Sequence, residues 1–249
     1  MSEIVVLVPV LDRPQRAHRV TDSLREATAT PYRLLFLCTK GDRKEIAACH
    51  EAVEAFGGEV VICPFPLDGG DFARKTNYGI SISSEPWVFA GADDLYFERG
   101  WDVVALAVAG SMRKRFIGTN DLHNPRVVRG KTATHPLVAR SYIDECGTID
   151  EPGKLYHEGY GHAWVDGEAA ETAMARGEWA FARRAHVEHL HPLWTGAPAD
   201  ATYERGSESY LLDRELFLER RRLWRPHASM KKRTTGSRAR PLARRPQGS

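Results

Sequence analysis

The chain has no apolar run approaching the roughly 18 residues that cross a bilayer, so no membrane insertion is expected. Its start, Met1-Ser2-Glu3-Ile4, lacks the basic region of a signal peptide and leads straight into apolar residues, which points to a cytoplasmic protein. Cysteine is scarce. Cys38, Cys49, Cys63 and Cys146 form no CxxC pair, which argues against a zinc knuckle or a redox dithiol. Cys38 and Cys63 sit in apolar runs and are expected to be small buried hydrophobes. Acids are missing from residues 226–249, which carry seven Lys or Arg; the first 225 residues then hold 28 basic and 33 acidic side chains, a balance of −5. The body is mildly acidic, and the tail alone makes the pI basic. That tail is poor in apolar residues and is expected to be disordered, with weak, salt-sensitive nucleic-acid contact as its one partner.

What is present reads as a soluble α/β protein, with 42% hydrophobic and 27% charged residues. The run Ile4–Val10 predicts a first strand, followed by a helix reaching about Thr28 with Pro14 near its start. Tyr32–Cys38 predicts a second strand, 45–56 a helix closed by Gly57-Gly58, and Glu59–Cys63 a third strand. This β-α-β-α-β alternation implies a parallel sheet with helices on its faces, and ligands bind beyond the carboxyl ends of such strands. A glycine-bearing stretch, Asp68-Gly69-Gly70-Asp71, leads into a helix carrying Arg74 and Lys75. Either cation suits a diphosphate or a solvated helix face.

The apolar run Trp87–Ala92 then stops at Asp93-Asp94 and reads as a buried strand ending in two carboxylates. Adjacent carboxylates repel unless a positive group lies against them, and a divalent ion carrying a diphosphate is one such group. A polar turn is the plainer alternative. Further on, 101–110 predicts a helix, 115–119 a strand, and 135–139 another. Residues 150–163 are rich in Gly, Tyr and His without a period; irregular segments of this length are commonly functional. Val165-Asp166-Gly167-Glu168 opens a helix that stops at Gly177, where either acid could simply complement the helix dipole. The stretch 185–192 alternates like a strand and would put His189 and His191 on one face, as a metal site requires. Residues 193–202 read as a loop and Tyr210–Trp224 as an amphipathic helix.

Taken in order, these features resemble the family-2-like nucleotide-sugar glycosyltransferases of the GT-A fold, over roughly residues 3–192. The opening strand leads into Val8-Pro9-Val10-Leu11-Asp12-Arg13-Pro14, similar to that group's Pro-x-x-Asn/Asp-Arg-Pro signature. Thr76-Asn77-Tyr78-Gly79-Ile80 resembles its Arg-Asn-x-Gly-Ile helix, Ala92-Asp93-Asp94 its DxD metal motif, and Val165-Asp166 with Arg176-Gly177 its Glu-Asp helix. The sequence departs from the pattern where Cys38-Thr39 replaces acids at the end of the second strand, and where Val165 replaces the Glu.

The resemblance implies a single domain over 1–225, with a mostly parallel Rossmann-like sheet flanked by helices. Residues 1–119 would bind the nucleotide sugar, 120–192 the acceptor, and 193–225 form a loop and C-terminal helix ahead of the basic tail. It implies Mn2+ or Mg2+ on Asp94 with His189 or His191, and from Asp93 a ribose contact or a share of the ion. Asp166 would be the general base of an inverting transfer, with Glu168 as the fallback. Pro9, Asp12, Arg13, Thr39, Arg74, Lys75 and Asn77 would line the donor site. Tyr160, His162 and Trp164, ahead of the base, would hold the acceptor, whether glycan, protein, small molecule or modified DNA base. A nucleotidyltransferase shares such a sheet but needs a glycine-rich basic loop after the first strand, and Leu11-Asp12-Arg13-Pro14 supplies none.

Overall fold

The computed structural model describes residues 2–66, 71–196 and 198–225. The expectations for Asp68-Gly69-Gly70 and for the 226–249 tail lie outside the described residues. One eight-stranded sheet organises the chain. Its strands are β1 (Ile4–Val10), β2 (Tyr32–Cys38), β3 (Glu59–Ile62), β4 (Trp87–Ala90), β5 (Leu95–Phe97), β6 (Phe116–Asn120), β7 (Pro136–Ala139) and β8 (Trp179–His189). They lie in the order β3-β2-β1-β4-β7-β6-β8-β5. The first four pair in parallel, as do β6 and β8, while β7 runs antiparallel to both β4 and β6, and β5 to β8. The sheet is therefore mixed and mostly parallel.

The side-chain period of two sorts the central strands into two cores. Ile4, Val6, Val8, Leu34, Phe36 and Phe89 face helices α1 (Ala17–Ala27), α2 (Arg43–Phe56) and α4 (Trp101–Met112). Val5, Leu7, Leu35, Leu37, Val88 and Ala90 face α3 (Asp71–Ser81), α6 (Arg140–Glu145), α7 (Val165–Ala175) and α10 (Tyr210–Trp224). A strand buried on both faces has no polar side to show, which is why Ile4–Val8 is a continuous apolar run. Short helices α5 (Pro125–Val128), α8 (Pro192–Thr195) and α9 (Ala201–Glu208) complete the described residues. Among these, no helix is long and apolar enough to cross a membrane.

Two details shape the rim of the sheet. Leu7 O accepts from Gly91 N at 2.8 Å, and β1–β4 pairing ends at Leu7–Ala90. Pro9, two residues on, points the same way into open rim, so its missing N–H leaves no ladder bond unmade. A Cβ on Gly91 would lie 2.8 Å from Leu7 O, so only glycine lets the chain leave β4 this close to β1. Asp12 has φ +55, a left-handed conformation that Asp tolerates better than most residues. It turns the chain into the 3-10 turn Pro14–Arg16.

The segment expected as a loop over 193–202 instead contains α8 and the start of α9. The strand expected over 185–192 begins earlier, because Trp179 pairs with Phe116, and ends at His189. His191 lies past the strand and caps α8, its Nδ1 accepting from Leu193 N at 3.1 Å.

Candidate active site

At the carboxyl ends of β1 and β4 the chain gathers three groups that could share one cation: Asp94, His135 and His189, each buried, with one ligand atom apiece within 4.8 Å of the others. Backbone pairing sets the geometry. Leu95 faces His189 across β5 and β8, Leu190 N donates to Asp94 O at 3.0 Å, and His189 Nε2 lies 3.3 Å from Asp94 Oδ2. His135 precedes β7, the antiparallel neighbour of β4. Its Nδ1 meets Ala90 O at 2.9 Å, which fixes the ring and leaves Nε2 free as a ligand.

Electrostatics match the arrangement. Burial favours a neutral Asp94, but His189 and the Tyr203 hydroxyl outweigh it and hold the carboxyl well below the usual range. Burial also opposes a charged His189, yet Asp94 beside it raises its pKa. His135 is driven down to about 3, first by burial and then by His189, so it stays neutral as a metal ligand must. Asp94 Oδ1, His135 Nε2 and His189 Nδ1 are all buried without a hydrogen-bond partner. Orphaned buried polar atoms are rare and costly, so three in one cluster fit a hard divalent cation of the Mn2+ or Mg2+ kind.

Asp93 belongs to a second, adjoining network. Arg13 Nη1 donates to it at 3.0 Å and Arg16 Nη1 at 3.5 Å. Burial, then the charge of Asp94, pushes Asp93 up to about 7 against the pull of both arginines. Arg13 also reaches Asp200 at 2.8 Å and lies 4.0 Å above the Tyr203 ring, whose hydroxyl donates to Asp94.

Asp166 sits in the first turn of α7, behind Trp164 at φ +67. It keeps partial solvent access, but the surrounding protein desolvates its carboxyl and raises its pKa. The Gly167 amide and the charge of His189 oppose that rise. His162 packs against Gly206 of α9.

Other expected residues lie elsewhere or are already engaged. Glu168 does not reach the cluster: it is buried against Arg220 at 2.7 Å and accepts from Tyr160 Oη at 2.7 Å, which leaves neither carboxyl nor phenol free for substrate. Trp164 packs between Tyr210 and Phe217 of α10. Lys75 is buried and ties Val10 O (2.7 Å) and Thr39 Oγ1 (2.6 Å) to Asp71 (2.6 Å), binding the ends of β1 and β2 together. Arg74 lies over the Phe65 ring. Asn77 donates to Tyr156 O and Glu158 and accepts from Leu155 N and Tyr156 N, so its amide brackets the irregular segment. Asp42, the nearest acid after β2, caps α2 and accepts from Asp12 N at 2.9 Å. His191 is outside the three-residue cluster, its ring 5.2 Å from that of His189. Sequence reading missed His135, Arg16, Asp200 and Tyr203. Only His135 carried a signal, a lone His at the head of a buried strand.

The mixed, mostly parallel sheet flanked by helices is that of the GT-A fold. No family model matches the chain, and no curated protein matches it in sequence. Solved structures do. The mannosyltransferase PcManGT of Pyrobaculum calidifontis, in complex with GDP-Man and Mn2+, aligns over 87% of this chain with a TM-score of 0.65 at 11% identity. The chain spans 64% of that protein's length. S. aureus TarS 1-349 with UDP aligns over 89% of this chain and 72% of its own, TM-score 0.60, 11% identity. Glucosyl-3-phosphoglycerate synthase of Mycobacterium tuberculosis, with Mn2+, UDP-Glc and phosphoglyceric acid, aligns over 88% and 79%, TM-score 0.56, 12% identity. At these identities the likeness is one of fold.

Proposed function

We propose that the protein is a metal-dependent glycosyltransferase, moving a sugar from a nucleoside-diphosphate sugar to an acceptor hydroxyl. The carrying observation is the buried Asp94–His135–His189 cluster with its unpartnered atoms, at the parallel rim of a GT-A sheet. The metal- and nucleotide-sugar-bound neighbours support the same reading. A divalent ion held by these three residues would act as a Lewis acid on the charge of the departing diphosphate.

The chain's own groups do the rest. Arg13 and Arg16 supply positive charge beside the carboxylate pair. Asp166, raised above an ordinary carboxylate yet partly open to solvent, takes the acceptor's proton as its hydroxyl attacks the anomeric carbon, an inverting transfer. General-base help of this kind contributes about 10²–10⁴-fold.

The test is a screen of UDP-, GDP- and dTDP-sugars with Mn2+ or Mg2+, reading diphosphate release. At least one donor should turn over, Asp94→Ala should abolish release, and Asp166→Asn should cut transfer while donor binding persists. Full release by Asp94→Ala in EDTA would sink the proposal.

A further inference from the structure

Helix α9 lies across the carboxylate pair, yet it buries none of its own residues. Its hold is polar. The capping residue Asp200 accepts from Arg13 Nη2 at 2.8 Å and from Arg16 Nη2 at 3.1 Å. The Tyr203 hydroxyl donates to Asp94 Oδ2, the oxygen that also faces His189. Thr202 Oγ1 donates to Leu11 O at 3.1 Å, and Arg205 pairs with Asp12 at 2.9 Å. These contacts fall on the guanidinium nitrogens that a diphosphate would need and on the carboxylate that would hold a cation.

We propose that Arg13 and Arg16 form a diphosphate-binding pair, and that α9 is an internal stopper for it. Asp200 stands where the diphosphate would sit, and Tyr203 ties up Oδ2 of the Asp94 carboxylate, the group that would hold the cation. This deepens the glycosyltransferase reading and rests on it for the identity of the diphosphate.

Charge and hydrogen-bond capacity both favour an exchange. Two guanidinium groups face three carboxylates, Asp93, Asp94 and Asp200, and a diphosphate would compete with Asp200 for both guanidinium groups. A diphosphate brings at least two negative charges to these arginines where Asp200 brings one. Asp200 is the most exposed of the three, its side chain 34% accessible against 6% and 5%, so water readily receives it. One carboxylate also cannot satisfy two guanidinium forks. Arg13 Nε remains buried without an acceptor, and a diphosphate has more oxygens to offer.

The experiment uses the full chain, with Mn2+ followed by electron paramagnetic resonance and inorganic pyrophosphate by calorimetry. Tyr203→Phe keeps the ring under Arg13 and removes the hydroxyl; it should bind Mn2+ about tenfold more tightly, since a hydrogen bond to a charged group no longer competes. Asp200→Asn should bind pyrophosphate with Mn2+ about tenfold more tightly by the same reasoning. Arg13→Gln should lose pyrophosphate. Amide exchange over 201–208 should quicken when wild type receives both probes. Weaker or unchanged binding by the Tyr203 and Asp200 variants, or slowed exchange in α9, would overturn the stopper and make α9 part of the bound-state grip or an inert cover. UDP and GDP form a separate arm. If the variants tighten pyrophosphate while no form binds either nucleotide, the stopper stands and the nucleotide-sugar reading falls.

Discussion

Two arginine–carboxylate networks of nearly the same composition do opposite things in this molecule. Beneath α10, Arg220 meets Glu168 through Nε and Nη2 and Asp150 through Nη1 and Nη2, at 2.7–3.1 Å, while Tyr160 fills a further acceptor on Glu168. None of these side chains has a buried polar atom without a partner. At the sheet rim, Arg13 and Arg16 face Asp93, Asp94 and Asp200, and there Arg13 Nε and Asp94 Oδ1 are unpartnered, as are the neighbouring His135 Nε2 and His189 Nδ1. Each such atom costs about 1–3 kcal/mol. Residue type and burial do not separate the two networks. Saturation does: the first is finished and holds α10 on α7, whereas the second is left short of partners that a ligand can supply.

The contrast is broken hardest at Arg220. Arg220→Ala strands the Glu168 carboxylate in the interior with one hydroxyl for company, and removing one partner of a buried pair costs about 3–5 kcal/mol. Urea unfolding should show that loss. A cost under about 1 kcal/mol would mean that the α10 network is no more structural than a surface pair. At the rim the ligand decides. Asp94→Asn gives up the charge that His189 and Tyr203 favour, so without metal it should be less stable than wild type. With Mn2+ at a hundred times its dissociation constant, wild type should gain about 2.7 kcal/mol and the variant nothing. A variant that Mn2+ still stabilises would place the ion elsewhere.

The same distinction explains what could be read from the sequence. Strands β1 and β2 were legible to the residue, since strands covered on both faces must be continuous apolar runs. Asp94 and His189, which the fold brings together, stood out in the sequence because each sits where such a run begins or ends. His135 was not, because the antiparallel insertion of β7 beside β4 brings it in, and that pairing has no local signature. Asp200 and Tyr203 were hidden for a different reason. Helix α9 buries no residue and so has no apolar stripe, and polar contacts hold it to the rim. Glu168 shows the converse error. An acid in the first turn of a helix near the proposed base looked catalytic, but its partner Arg220 comes from α10, far along the chain.

His135 offers a finer cut. If it is a ligand, and not merely a buried ring tied to Ala90, His135→Ala should weaken Mn2+ by at least the 10–100-fold seen for residues that only support a metal site. His135→Gln, which keeps a polar atom near Ala90, should restore folding without restoring Mn2+. Equal Mn2+ affinity in both variants and wild type would leave Asp94 and His189 as the whole protein contribution.

The smallest effect tests whether saturation at α10 depends on its exposed member. Asp150 is half-exposed, and its hydrogen bond and charge pairing with Arg220 hold its carboxyl down to about 2. The folded value is thus depressed below the roughly 3.9 of an unfolded Asp. Its stabilisation is therefore present above about pH 4 and lost as pH falls through about 2. Solvent screening limits the amount, so Asp150→Asn should cost about 1 kcal/mol or less at pH 7, and the gap to wild type should close near pH 2. If the gap instead persists at pH 2, Asp150 acts through packing and not charge. The saturated network would then reduce to the buried Arg220–Glu168 pair, which needs no help from the surface to hold α10 in place.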